Sequence, residues 1–78
     1  MSQDSTDKTK VMIVEDDAEI SRLTKILLES EGYHCEAVFT GNDAADNVRL
    51  FAPDVIILDV MLPGKSGLEV CTELREFY

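Results

Sequence analysis

Two short apolar runs, each ending in carboxylates, limit what this chain can fold into more than any other feature. Val11-Met12-Ile13-Val14 leads directly into Glu15-Asp16-Asp17, and Val55-Ile56-Ile57-Leu58 leads into Asp59. Both runs are too short for a globular helix and rich in β-branched residues, so both read as buried strands. In an open parallel α/β sheet, ligands lie just beyond the carboxyl ends of the strands. If the two runs share such a sheet, Glu15, Asp16 and Asp59 converge on one spot. Acids placed so repel one another unless a cation sits among them, and an all-oxygen donor set suits Mg²⁺ or Mn²⁺.

The residues around these runs alternate strand and helix. A first strand is expected over about Lys10 to Glu15 and a helix from Asp17 or Ala18 to Glu31. Ile20, Leu23 and Leu27 recur there at helical spacing, Asp17 and Glu19 suit its first turn, and Gly32 suits its stop. A second strand over Tyr33 to Phe39 mixes His34 and Glu36 with Cys35, Ala37 and Val38, as an edge strand does. Thr40-Gly41-Asn42-Asp43 is a turn that can cap a second helix, whose inner face is Ala44, Ala45, Val48 and Phe51. Pro53 ends that helix and leads into the third strand. Pro63 and Gly64 break the loop after Asp59. A third helix is expected from Ser66 or Gly67 to the chain end, with Leu68, Cys71, Leu74 and Phe77 as its apolar stripe. Right-handed crossovers then give one parallel sheet of order 2-1-3.

A chain of 78 residues is one domain, and a small one. Sixteen Asp and Glu against seven Lys and Arg give a net charge of −9, which disfavours direct nucleic acid binding. No run approaches the roughly 18 to 20 apolar residues of a membrane span. Met1 to Lys10 has no apolar segment of a signal peptide, so residues 1–9 read as a disordered N-terminal tail and 10–78 as the folded domain. Cys35 and Cys71 form no CxxC and read as small buried hydrophobes in a reducing cytosol. One His and two Cys do not make a zinc ligand set, and His34 reads as a surface residue.

Taken in order, Val11-Met12-Ile13-Val14-Glu15-Asp16-Asp17 and Ile56-Ile57-Leu58-Asp59-Val60-Met61-Leu62-Pro63-Gly64-Lys65-Ser66-Gly67 resemble the receiver domain of bacterial two-component response regulators. Gly41-Asn42-Asp43-Ala44-Ala45 and Ala52-Pro53-Asp54 resemble it too, so the likeness runs from about Lys10 to Tyr78. It implies a flavodoxin-like (CheY-like) α/β fold, present here as a partial (βα)₃ segment. Asp59 would be the phosphoacceptor, served by a sensor histidine kinase or a phosphotransfer protein. Asp16 would bind Mg²⁺ directly, Glu15 through water, and Met61 through its backbone carbonyl, with Pro63 and Gly67 shaping the loop. Such a protein is a cytoplasmic phosphoacceptor rather than an enzyme, with at most self-catalysed phosphotransfer. The physics agrees, since a carboxylate approaching a phosphoryl group meets repulsion that a bridging divalent cation offsets.

By the same resemblance a complete receiver continues through two more βα units, carrying a Ser or Thr and a Lys that contact the phosphoryl group. The chain therefore reads as truncated after its third unit. The third strand would then be an apolar exposed edge, favouring self-association and low stability. Three rivals compete with phosphoacceptance. Gly64-Lys65-Ser66 matches the end of a phosphate-binding loop, but Asp59 stands where that pattern needs Gly. An aspartyl-phosphate phosphohydrolase usually has a second Asp where this chain has Met61. A phosphorylation-incompetent remnant serving as a docking or oligomerisation module is the alternative of a different class.

Overall fold

The computed structural model describes residues 8–78. The expected tail up to residue 7 lies outside the described residues. Strand β1 (Lys10–Val14) is followed by helix α1 (Ala18–Ser30), strand β2 (His34–Val38), a single 3₁₀ turn (Gly41–Asp43) running into helix α2 (Ala44–Phe51), strand β3 (Val55–Leu58) and helix α3 (Gly67–Leu74). The strands form one parallel sheet in the order β2-β1-β3, as expected from the sequence. Val14 is in register with both Val38 and Leu58, so Glu15 and Asp59 leave the sheet side by side.

β1 is central, and Val11 to Val14 are all buried because side chains alternate between two covered faces. On one face Met12 and Val14 pack with Val38, with Ala44, Ala45 and Val48 of α2, with Leu62, and with Val70 and Leu74 of α3. The other face is thinner: Val11, Ile13 and Cys35 meet little beyond Leu28 of α1. Val55 and Ile57, in register with Val11 and Ile13, stay 48% and 43% exposed. α2 buries the face expected of it, and Ala52 ends it in a left-handed conformation (φ 53°) before Pro53. No helix among the described residues is long and apolar enough to cross a membrane.

Four expectations need correction. The stripe Ile20, Leu23 and Leu27 of α1 is half to two-thirds exposed. The helix packs on β2 and β1 through buried Ser21 and half-buried Leu28, so its apolar stripe lies to one side of the contact. In α3 the inner face is Gly67, Val70 and Leu74, while Leu68, Cys71 and Phe77 are exposed. Gly67 causes this rotation, since its missing side chain lets the first turn sit against the backbone of Asp59 and Val60. Cys71 is accordingly exposed and only Cys35 is buried. α3 also stops at Leu74, and the chain turns so that the Tyr78 hydroxyl donates to the Pro53 carbonyl at 2.7 Å.

Candidate functional site

The sheet ladder continues one residue beyond β1 and β3. The Glu15 amide donates to the Val38 carbonyl and the Asp59 amide to the Val14 carbonyl, each at 3.0 Å. These bonds fix the backbone from which two of the acids project. Asp16 follows Glu15 and is exposed. Carboxylate oxygens of Glu15, Asp16 and Asp59 lie within 4.8 Å of one another, so the three residues singled out from sequence do meet.

Asp17 does not join them. It caps α1, its Oδ1 accepting from the amides of Glu19 at 2.9 Å and Ile20 at 3.1 Å, which satisfies orphan donors of the first turn. Its own amide donates to Oε2 of Glu15 at 3.1 Å. A matching bond runs from the Met61 amide to Oδ1 of Asp59 at 3.2 Å. Each carboxylate is thus held by the amide two residues on, the habit of Asx-type turns. Sequence reading missed both holds, although an acid followed by a turn is their signal.

The loop after Asp59 is anchored at its far end. Ser66 and Glu69 form a reciprocal capping box, with Ser66 N–H to Oε1 of Glu69 at 2.9 Å and Glu69 N–H to Oγ of Ser66 at 3.2 Å. The Gly67 amide donates to the Val60 carbonyl at 2.9 Å, and a side chain on Gly67 would collide with the Asp59 carbonyl. Ser66 is thus a helix cap, not part of a phosphate-binding loop. Lys65 is tied to Glu73 at 2.7 Å, a pairing that spans too much sequence to be read from local periodicity. Met61 is 81% exposed and Pro63 is exposed on the same loop.

The charge balance of the cluster is unfavourable as it stands. No salt bridge among the described residues reaches Glu15, Asp16 or Asp59. The Asp17 amide by itself lowers the Glu15 carboxyl. Partial burial, the nearby Asp59 charge, a hydrogen bond toward Asp59 and the Asp16 charge outweigh it, and Glu15 is raised above its ordinary 4.5. Crowded carboxylates that favour a proton are carboxylates that a divalent cation can relieve. The donor set, all oxygen and all acidic, fits a hard ion such as Mg²⁺.

Comparison with known proteins agrees with the geometry. The family model for the response regulator receiver domain matches residues 11–78. The BeF₃-activated N-terminal receiver domain of RstA from Klebsiella pneumoniae superposes with a TM-score of 0.87 at 33% identity, covering 90% of this chain and 60% of that one. A CheY-like response regulator receiver domain from Methylobacillus flagellatus gives 0.86 at 31% identity, covering 91% and 60%. The response regulator TrrA from Thermotoga maritima, in complex with Mg²⁺-BeF, gives 0.83 at 35% identity, covering 87% and 59%. The chain therefore spans between 52% and 60% of the length of the structures it matches.

Proposed function

This chain belongs to the response regulator receiver domain family, and from that premise we propose that it accepts a phosphoryl group on Asp59 with a divalent cation held at Glu15 and Asp16. Receivers are signal transducers rather than turnover enzymes, and they meet sensor histidine kinases or phosphotransfer proteins. The phosphohistidine of such a partner is the donor. An Asp59 oxygen forms the new O–P bond as the N–P bond breaks, and the electron pair of that bond returns to the imidazole ring. Oδ1 of Asp59 accepts from the Met61 amide, and Oδ2 is the oxygen we assign to the attack.

A bound Mg²⁺ or Mn²⁺ would neutralise the charge that builds on the phosphoryl oxygens. Asp16 and Asp59 would hold it directly, Glu15 through water, and Met61 through its carbonyl. One similar receiver domain is BeF₃-activated and another is in complex with Mg²⁺-BeF, which supports a metal-assisted phosphoryl site in this fold. The observation that carries the reading is the convergence of Glu15, Asp16 and Asp59 within 4.8 Å. Residues 10–78 make up the receiver portion, and cytoplasmic signalling is the setting we assign to it. Direct binding to nucleic acid or membrane is not part of this reading.

Incubation with Mg²⁺ and acetyl phosphate, followed by intact mass, tests it. One base-labile phosphoryl adduct is expected, lost on removal of Mg²⁺ and in Asp59→Asn. An unmodified wild-type chain would overturn phosphoacceptance and leave the docking role. The open β3 edge is the surface we assign to self-association, because Val55 and Ile57 are exposed on it.

A further inference from the structure

We propose that the turn before α2, through Gly41 and Asn42, is a positioning device for Asp59, a role that rests on the phosphoacceptor reading above. Gly41 is buried, and a side chain on it would run into the Lys65 carbonyl oxygen and lie 2.9 Å from both Lys65 Cβ and Val70 Cγ2. Backbone cannot move aside as the end of a flexible side chain can. The contact therefore sets where Lys65 lies.

From Lys65 the chain passes through Ser66 to Gly67, where a side chain would collide with the Asp59 carbonyl and lie 2.7 Å from Val60 Cα. Two contacts that only glycine fits thus stand in series, joined by Lys65-Ser66-Gly67. That bridge is stiff. Lys65 Nζ is tied to Glu73 at 2.7 Å, the Ser66 amide to Glu69 at 2.9 Å, and the Gly67 amide to the Val60 carbonyl at 2.9 Å. A second seam runs beside the first. Gly64 has φ +80°, and a side chain there would lie 2.5 Å from Nδ2 of Asn42. The two loops are therefore pressed together at Gly41–Lys65 and at Asn42–Gly64. A displacement at Gly41 is passed along the bridge to the backbone of Asp59 and Val60, and so to the Met61 amide that holds Oδ1.

The test compares Gly41→Ala with Gly32→Ala in the 78-residue chain. Gly32 has φ +97° and open space around it, so alanine there strains the backbone without touching the loop. It controls for destabilisation alone. The first readout is the amide spectrum of the metal-free chain by ¹H–¹⁵N NMR. Gly41→Ala should move the Val60 and Met61 resonances, and Gly32→Ala should leave them in place.

The second readout is Mn²⁺ affinity by titration. Gly41→Ala should weaken it about tenfold, as loss of supporting contacts around a metal site does, with Gly32→Ala near wild type. Unmoved Val60 and Met61 resonances, or equal effects of the two variants, would overturn the proposal. If wild type binds no Mn²⁺, the metal reading fails, and the metal-free spectra still decide this one. If Gly41→Ala does not fold, Asn42→Ala takes its place, since it empties the second seam without a clash. Met61 unmoved in that variant also overturns the proposal.

Discussion

Glu15 shows how a single residue links the site to stability. Its carboxyl is raised in the folded chain, so the folded state binds protons more readily than the unfolded state. Its contribution is fully present below its ordinary 4.5 and is lost as pH rises through the higher folded value. Metal should reverse that loss. We expect Mg²⁺ to raise the melting temperature at pH 7, and the increment to shrink as pH falls toward the ordinary 4.5 of Glu15, because protons then compete for its carboxylate. Glu15→Gln should flatten the metal-free dependence in thermal melts across that range. Ser21 offers a second test. Its hydroxyl is buried without a hydrogen-bond partner among the described residues. Ser21→Ala should raise unfolding free energy by about 1 kcal/mol in a denaturant titration, since an unsatisfied buried group is removed. Glu15, Asp16 and Asp59 were legible because an acid that ends a buried parallel strand stands at the edge where such sheets bind ligands. The amides pinning two of them were missed, although an acid followed by a turn is the residue pattern that such bonds favour.

Among the elements, strands were easier to read than helix orientation. Both short β-branched runs are strands, but only Val11 to Val14 is central and buried, while Val55 to Leu58 stands half exposed at the edge, so composition marks the strand and not its place in the sheet. Helices are less determined. In α3 the expected stripe Leu68, Cys71, Leu74 and Phe77 and the buried face Gly67, Val70 and Leu74 share Leu74 and otherwise lie one residue apart. A glycine contact decides, and glycine has no hydrophobicity to reveal it. α1 failed in a different way: its apolar stripe is real but does not face the sheet. The start of α3 should be sensitive to its cap. Ser66→Ala removes one half of the reciprocal pair with Glu69 and should cost about 1 kcal/mol of stability by urea unfolding. Wild-type stability in that variant would mean that the Gly67–Val60 bond alone suffices to start the helix.

The whole molecule is lopsided. One face of the sheet carries the larger core, and the other leaves Val55, Ile57 and much of α1 in contact with solvent. Strand order and parallel pairing followed from the βα alternation, because handedness rules leave few arrangements. How thinly α1 would cover its face was not legible, since that depends on helix placement rather than composition. β3 has no charge or proline within Val55–Leu58 to discourage pairing with another strand. Ile57→Lys should therefore shift sedimentation toward monomer, and unchanged sedimentation would place any association elsewhere. The same region holds a groove of about 330 Å³ lined by Asp54, Val55, Ile56, Leu58, Cys71, Leu74, Arg75 and Tyr78. Burial pushes the Cys35 thiol up, aided by the Glu29 charge and opposed by Lys25, while Cys71 stands exposed on the groove wall. A maleimide dye should thus label the native protein once, at Cys71. Whatever settles along that wall would then change the dye's emission, with no residue of the chain replaced.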